Sequence, residues 1–285
     1  MNNNRTTASL TGLLVFILLM YPSTRPCVRA EQKMTSEEIV AKHLGAIGTV
    51  EARSSIKSLV ILGTSTVTFH NPGKGQMIGQ AVLASEGSKV LLGMQFDNTN
   101  YPFEKLMFDG KNFTAAFLKP GLRSTLGDFL NTHDSIFRQG LIGGALSSAW
   151  PLLDPDIKHA RLEYRGVKKI DGRDAYELEY LSRSGSDLQT ALFFDKETFR
   201  HVRTEYEQVI TAQLGANPAG APGQTQRESY YKMVEEFSDF KKEGGLTLPH
   251  TYKLTLSLHG RAATFLADWT LSLVKFGFNS NPAWD

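Results

Sequence analysis

Residues 59–70 read LVILGTSTVTFH, and this stretch decides the fold class. Apolar residues such as Leu59, Ile61 and Val67 occupy alternate positions, and threonines fill several of the positions between them. A period of two residues with many β-branched side chains predicts a long β-strand. Similar patterns, separated by turn signals, predict about eleven or twelve antiparallel strands in one domain. The further strands are expected near residues 77–83, 90–96, 103–108, 113–117, 161–170, 176–180, 188–194, 199–210, 227–241, 248–258 and 265–275.

The chain before this strand begins with a leader and a helix. Residues 1–30 have an arginine, an apolar stretch and Val28-Arg29-Ala30, which predicts a cleaved secretory signal peptide and a mature chain over 31–285. An uncleaved anchor is disfavoured because its apolar stretch falls short of the ~20 residues that span hydrocarbon. Residues 36–47 have helical spacing after the capping residues Thr35 and Ser36.

Removal of the leader changes the charge and the thiol content. Three of the 31 basic residues lie in the leader, which leaves 28 against 29 acidic residues in the mature chain. A mature chain near neutrality has no basic field that would favour nucleic acid as a partner. The single cysteine, Cys27, also lies in the leader, so disulfides and thiol chemistry are not expected.

An apolar, glycine-rich segment interrupts the strands. Residues 136–153 read IFRQGLIGGALSSAWPLL, and two helices are predicted over 122–152, here called the lid segment. Three uses are open: a core helix, a membrane span or a lid over an apolar site. Arg138, Gln139 and the glycines disfavour a membrane span. Gly140, Gly143 and Gly144 each cost about 1 kcal/mol in a helix, so we interpret them as hinges of a movable lid. Replacing Gly143 and Gly144 by alanine is then predicted to slow ligand release without harming the fold.

Catalytic and metal-binding motifs are absent from the sequence. The seven histidines form neither HxH nor HExxH, and no GxSxG, GxGxxG or P-loop pattern occurs. Glu177 with Glu179, and Glu235 with Glu236, have the spacing of paired carboxylates for acid–base chemistry. A solvated sheet face explains the first pair. We therefore predict no catalytic residue, no metal and no cofactor. A site assembled across the fold leaves no local motif, so an enzyme remains an alternative.

Apolar side chains are the chemistry that the sequence does supply. Met and Phe suit adaptable apolar sites, and a group of them precedes residue 153. The residues predicted to line a hydrophobic cavity and its lid are Phe69, Met77, Met94, Phe96, Phe103, Met107, Phe117, Leu126, Phe129, Phe137, Leu141 and Trp150. For any single one of these residues an ordinary core is the favoured explanation, and the glycine-rich segment favours the cavity for the group.

The order of these elements resembles the LolA/LolB-like superfamily of periplasmic lipoprotein carriers and lipoprotein-sorting proteins. The resemblance rests on the helix SEEIVAKHLGAIG, on DGRDAYELEYLS, on ALFFDKETFRHVRTEYEQ and on EEFSDFKKEGGLTLPHTYKLTL. It implies an α+β fold in which an open half β-barrel, with an N-terminal helix and a central helical lid, encloses a hydrophobic cavity for acyl chains. The loop 211–226 lacks the large apolar tip of the membrane-anchored receptor members, and Arg123 and Arg138 are the candidates for a lid-latching arginine.

Three functions follow as hypotheses. The first is a monomeric, non-catalytic periplasmic carrier that binds the acyl chains of a lipid or lipoprotein for transfer toward the outer membrane, with a membrane receptor or releasing complex as partner. The second is a cell-envelope sensor or binding module that acts through protein contacts. The third is a lipid-modifying enzyme, for which a buried His or carboxylate cluster with shifted pKa values would be the sign.

Overall fold

The computed structural model describes residues 34–153, 160–210, 229–260, 264–282 and 284. The predicted signal peptide 1–30 and the predicted loop 211–226 lie outside the described residues. Twelve strands are present: β1 (Ser58–Asn71), β2 (Gly75–Glu86), β3 (Lys89–Phe96), β4 (Phe103–Phe108), β5 (Phe113–Ala115), β6 (Ala160–Ile170), β7 (Arg173–Ser182), β8 (Gln189–Asp195), β9 (His201–Ile210), β10 (Ser229–Glu243), β11 (Leu246–His259) and β12 (Thr264–Phe278).

All twelve strands form one antiparallel sheet in the order β5-β4-β3-β2-β1-β12-β11-β10-β9-β8-β7-β6. Neighbours along the chain pair with each other in two meanders, β1–β5 and β6–β12. The meanders join where the first strand pairs with the last, from Leu59 opposite Phe278 to Asn71 opposite Leu266. The predicted α+β fold with an open sheet of eleven or twelve antiparallel strands is confirmed.

The N-terminal helix α1 (Ser36–Ile47) has the predicted bounds. Thr35 caps it by accepting from the Glu38 N–H, and the Glu38 carboxylate accepts from the Thr35 N–H in return, which makes a capping box. A second short helix, α2 (Val50–Ser55), follows and was not predicted. It buries none of its residues, so it leaves no apolar periodicity in the sequence.

One face of the sheet, here called the inner face, carries the hydrophobic core. Strand alternation directs every second side chain to it, as with Leu92 and Met94 of β3, which are 2% and 3% exposed. Helix α1 and the lid segment pack on this face and join the same cluster of buried side chains. The opposite face is called the outer face.

The lid segment is less helical than predicted. It contains α3 (Thr125–Thr132), α4 (Ser135–Arg138) and two 3₁₀ turns, Gly144–Leu146 and Pro151–Leu153. The predicted second helix ends at Arg138 because Gly140, Gly143 and Gly144 have φ angles of 67°, 76° and 50°. These left-handed conformations end right-handed helix and favour glycine. The segment is therefore a compact chain of short turns.

Candidate functional site

The candidate site is the inner face beneath the lid segment. Ten apolar side chains of the lid segment are at most 6% exposed and pack on the sheet: Leu126, Phe129, Leu130, Ile136, Phe137, Leu141, Ile142, Leu146, Trp150 and Leu152. The segment thus covers the wall that the sequence predicts to bind acyl chains. It lies where a lid was predicted.

Among the described residues, two small cavities of only about 10 Å³ each lie between the lid segment and the inner face. One is lined by His43, Ala145 and His201, and the other by Ile142 and Tyr252 together with neighbouring side chains. Each holds about one water molecule at most. The cavity for acyl chains stays a prediction, and in this structure the apolar side chains of the lid segment pack on the inner face where it is expected.

The twelve predicted site residues divide into three groups. Those that meet in the core of the inner face are Met94, Phe96, Leu126, Phe129, Phe137, Leu141 and Trp150. Phe69 and Met77 are half-buried and pack against this core at its edge. The remaining three, Phe103, Met107 and Phe117, do not lie beneath the lid segment. Phe117 is 48% exposed, with the Arg123 guanidinium 4.0 Å from its ring centroid.

Strand alternation explains where Phe103 and Met107 lie. In β4 the buried residues are Glu104, Leu106 and Phe108, so the residues between them face outward. The expected alternation is present, but its buried set includes a glutamate. Because the buried Glu104 takes an inner-face position, its apolar neighbour Phe103 lies on the outer face, although an apolar side chain would be expected on the inner face.

A buried carboxylate on β10 holds the middle of the lid segment. Glu235 is fully buried, and its Oε1 accepts from the Gly143 backbone N–H and from the Tyr252 hydroxyl, each at 2.7 Å. Its Oε2 accepts from the Tyr206 hydroxyl, also at 2.7 Å. Burial raises the pKa of the Glu235 carboxyl to about 7, although the three donated hydrogen bonds act in the other direction. The sequence reasoning missed this role, although Glu235 alternates with Met233 and Phe237, both buried on the same strand.

A second buried carboxylate holds the start of the lid segment. Glu104 of β4 is 3% exposed and accepts from the Tyr101 hydroxyl at 2.6 Å, while the Trp269 indole N–H donates to that hydroxyl at 2.8 Å. The Ser124 hydroxyl lowers the pKa of Glu104 in part, and it caps α3 by accepting from the Gly127 N–H at 2.8 Å. Burial raises the pKa of the Glu104 carboxyl to about 7.

The two buried carboxylates lie on different strands of the sheet. Five strands, β3, β2, β1, β12 and β11, lie between β4 and β10 in the sheet. Neighbouring strands are about 4.8 Å apart, so the two groups are well separated along the sheet. Each is surrounded by donors from aromatic and lid residues, an arrangement that fixes the lid segment at two separate points.

A histidine and tryptophan cluster makes the third attachment. The Trp150 indole N–H lies 3.5 Å from Nε2 of His43, and its ring stacks on His201 with centroids 4.9 Å apart. Nδ1 of His43 lies 3.0 Å from the Phe199 carbonyl, which can only accept, so Nδ1 is the donor and Nε2 is free to accept. Burial lowers the pKa of His43 to about 4 and that of His201 well below its usual value, so both rings are neutral at pH 7.

Of the two candidate latching arginines, Arg123 lies at the start of the lid segment and Arg138 lies at the end of α4. Arg123 donates through Nε to the Ala115 carbonyl at 2.8 Å, and Arg138 donates to Asp134 and to the Lys111 carbonyl, each at 2.7 Å. They hold the segment to its own turn and to the β4–β5 hairpin.

Within the described ranges, no group of three or more His, Cys, Asp or Glu side chains is arranged to hold a metal ion. Among the helices that the structure describes, none is long and apolar enough to cross a bilayer.

The geometry defines a class: an open antiparallel sheet whose inner face is covered by an N-terminal helix and a compact lid. No family model matches the sequence, and no curated protein matches it. Among solved structures, a LolA superfamily protein from Nitrosomonas europaea is similar over 88% of this chain and 96% of its own, at 12% identity and a TM-score of 0.45. A putative outer membrane lipoprotein-sorting protein domain from Vibrio parahaemolyticus is similar over 87% of this chain and 93% of its own, at 12% identity and a TM-score of 0.42.

A DUF1329 family protein from Desulfovibrio piger is similar over 88% of this chain and 96% of its own, at 10% identity and a TM-score of 0.41. A likeness of this size concerns the fold alone.

Proposed function

We propose that this protein is a periplasmic, non-catalytic carrier whose inner sheet face binds the acyl chains of a lipid or lipoprotein when the lid segment moves aside. The observation that carries the proposal is the lid segment itself. It covers the inner face with apolar side chains, yet it contains three left-handed glycines and is attached through a few identifiable polar contacts.

The energetics of exchange support this reading. An acyl chain costs about 0.8 kcal/mol per CH₂ to leave in water, so a carrier must bury it. The lid side chains Phe129, Phe137 and Trp150 bury the same apolar wall in the absence of ligand. When an acyl chain replaces the lid side chains, the apolar wall of the sheet stays buried. Only the lid side chains then need other contacts.

The attachments of the lid segment set how it is released. Glu104 fixes its start through Ser124, Glu235 fixes its middle through Gly143, and His43 contacts Trp150 near its end. Gly140 lies between the first and second of these points and Gly144 between the second and third, and in this proposal Gly140, Gly143 and Gly144 serve as the hinges. The acyl chains then lie against Met94 and Phe96 of the sheet and against the lid residues Leu126, Phe129, Phe137, Leu141 and Trp150, with Phe69 and Met77 at the edge.

The test combines ligand detection with a measurement on the lid. Protein purified from the periplasm should carry lipid in native mass spectrometry, and the delipidated protein should bind a fluorescent fatty acid. Hydrogen exchange should become faster in residues 125–153 when the fatty acid binds. Glu235→Gln should speed binding by loosening Gly143, whereas Glu236→Gln, whose carboxylate faces outward to Arg203, should not. A lid whose exchange stays unchanged at saturating ligand would contradict the proposal.

The filled inner face favours a second candidate, a binding module that acts through protein contacts. In that case a stable protein partner is recovered from the cell envelope, and neither lipid nor fatty acid alters lid exchange. A lipid-modifying enzyme is the third candidate. Buried carboxylates with raised pKa values were named as its sign, and Glu104 and Glu235 are two such groups. Their separation by five strands and their hydrogen bonds to the lid assign them to attachment instead.

A further inference from the structure

The outer face divides into two halves of different chemistry. Over β6–β10 it carries ion pairs, such as Lys232 with Glu205 at 2.8 Å and with Glu207 at 2.6 Å, and Lys168 with Glu177 at 2.7 Å. Paired charges of this kind are the ordinary covering of a solvated sheet face. On the outer face of β1–β3, pairs of this kind lie toward the strand ends, as with Lys89 and Glu86 at 3.6 Å and with His70 and Asp268 of β12.

An open groove of about 610 Å³ lies on the outer face of β1–β4. Its volume falls within the range of about 300–1,000 Å³ typical of small-molecule sites. Apolar residues dominate its walls, and its polar lining residues are two glutamines, one lysine and Glu104, whose side chain points to the inner face: Leu62, Val82, Leu91, Phe103, Gln80, Gln95, Lys105 and Glu104. Leu62 is 40% exposed although it sits in the middle of the sheet.

The strand register shows how the groove is built. One row of paired residues crosses five strands as Lys275, Leu62, Val82, Gly93 and Lys105. Gly93 has no side chain, and a Cβ there would lie 2.8 Å from the nearest methyl of Val82, so this methyl leans over the glycine. The row therefore has an apolar, recessed middle and a lysine at each end.

The polar groups at the groove favour an anion. Within the part of the chain that the structure describes, Lys105 and Lys275 form no ion pair. The neighbouring carboxylate on β4, Glu104, is buried on the inner face and cannot neutralise Lys105 at the outer surface. In the next row Gln80 and Gln95 are paired neighbours, and their amides can donate to an anionic oxygen.

We propose that this outer groove is a second binding site, for a single-chain amphiphile with an anionic head. The chain lies along Leu62, Val82 and Phe103, and the head pairs with Lys105 beside the glutamine amides. This site is separate from the inner face and does not require the lid segment to move. A fatty-acid-like monomer, rather than a bilayer surface, fits a recess of this volume.

The experiment uses the purified protein with a dansylated undecanoic acid held below its micellar concentration. Lys105→Glu should weaken binding roughly tenfold, since removing a favourable charge contact and adding a repulsion is worth at least ~1.4 kcal/mol. Lys169→Glu, an exposed lysine on β6 at the far side of the sheet, is the matched control and should bind as wild type. With the methyl ester of the same probe, the effect of Lys105→Glu should largely disappear.

The apolar part of the site has its own matched pair. Leu62→Gln should weaken binding about fivefold by removing apolar contact area. Ile78→Gln changes an outer-face side chain that is 71% exposed and does not line the groove, and it should have no effect. Circular dichroism of each variant checks that the fold is unchanged.

Photo-cross-linking separates the outer groove from the inner face. A diazirine fatty acid should label residues of the groove, such as Gln95, Phe103 and Lys105, and this labelling should be lost in Lys105→Glu. Labels confined to the lid segment would overturn the outer site while supporting the inner one. Equal binding of Lys105→Glu and wild type would also overturn it. If Lys105→Glu lost only its binding to anionic vesicles, the groove would be a membrane contact instead.

Discussion

The backbone N–H of Gly143 donates to the Glu235 carboxylate at 2.7 Å, in a position without access to solvent. This contact joins a left-handed glycine of the lid to the central part of the sheet. Tyr206 and Tyr252 complete the coordination of the carboxylate, so all four groups depend on one another. A buried polar network of this kind is stable only while every member is satisfied.

Replacing Glu235 by Gln should therefore destabilise the lid before the rest of the fold. The amide keeps one acceptor oxygen for donors that now use two, so one buried donor loses its partner at a cost of about 1–3 kcal/mol. Hydrogen exchange should show the largest loss of protection at Gly143 and its neighbours. Glu236→Gln removes an ion pair with Arg203 on the outer face, and it should lower the free energy of unfolding by less than about 1 kcal/mol. Equal effects of the two variants would contradict the assigned role of Glu235.

The pH dependence of stability should contain two opposing kinds of contribution, from the buried carboxyls Glu104 and Glu235 and from the buried histidines His43 and His201, and Glu235 and His43 illustrate them. The pKa of Glu235 is raised from 4.5 to about 7, so its contribution is fully present below pH 4.5 and is lost as the pH rises to 7. The pKa of His43 is lowered from 6.5 to about 4, so its contribution is present above pH 6.5 and is lost as the pH falls to 4. Between these limits the two partly cancel, because each is on the order of 3 kcal/mol.

Single variants should separate these contributions. In Glu235→Gln, the free energy of unfolding should increase more steeply with pH between 4.5 and 7 than in wild type, because the opposing carboxyl is gone. In His43→Gln the slope over the same range should change in the opposite direction. Urea titrations at several pH values measure both slopes. Parallel curves for wild type and both variants would show that neither group changes its protonation on folding.

Much of the fold was predictable because it follows local patterns. The alternation in residues 59–70 gave β1, and the capping residues before Ser36 gave α1 with its observed bounds. Turn signals located nearly all of the strands, and the pairing of β1 with β12 explains why the strand that decides the fold lies at the centre of the sheet. Local periodicity records which face of a strand is buried, so it is sufficient for this kind of sheet.

The candidate site was only partly predictable, because it depends on which side chains meet across the fold. Periodicity could not show that Glu104 and Glu235 are buried against the lid, since a lone carboxylate on a strand is usually solvated. It also could not show that Phe103 lies on the outer face. The glycines were recognised as special, but their left-handed backbone makes a turn rather than a softened helix.

The three lid glycines should respond unequally to alanine. A Cβ at Gly140 would lie 2.0 Å from the Ala149 carbonyl oxygen, and one at Gly144 would lie 2.8 Å from Nδ1 of His201. A Cβ at Gly143 would meet only side-chain atoms at 3.7 Å or more. This corrects the expectation that Gly144→Ala leaves the fold unharmed, because the site has neither space nor a permitted backbone angle.

Chemical denaturation can rank these variants. Gly143→Ala should cost about 1 kcal/mol, the strain of a left-handed alanine, and it is the variant suited to testing lid kinetics. Gly140→Ala and Gly144→Ala should each cost more, at least about 2 kcal/mol, because a clash is added to the strain. Gly172→Ala is the control. Gly172 lies in an open turn with φ of 84°, where an added Cβ meets no other atom, so this variant measures the backbone strain without a clash. A Gly144→Ala variant as stable as Gly172→Ala would mean that the packing of Gly144 on His201 is looser than described.

Trp150 offers the most direct test of whether the inner face can accept a ligand. The side chain is 1% exposed and stacks on His201, so Trp150→Ala should leave a cavity and cost about 3–5 kcal/mol. A dry apolar cavity of that kind binds small apolar molecules, so benzene or xenon should restore part of the lost stability. Phe117→Ala removes an aromatic ring that is 48% exposed and should cost less than about 1 kcal/mol without creating a binding site. If Trp150→Ala bound neither benzene nor a fatty acid better than wild type, the lid would have collapsed onto the sheet, and the inner face would be a closed core rather than a site for acyl chains.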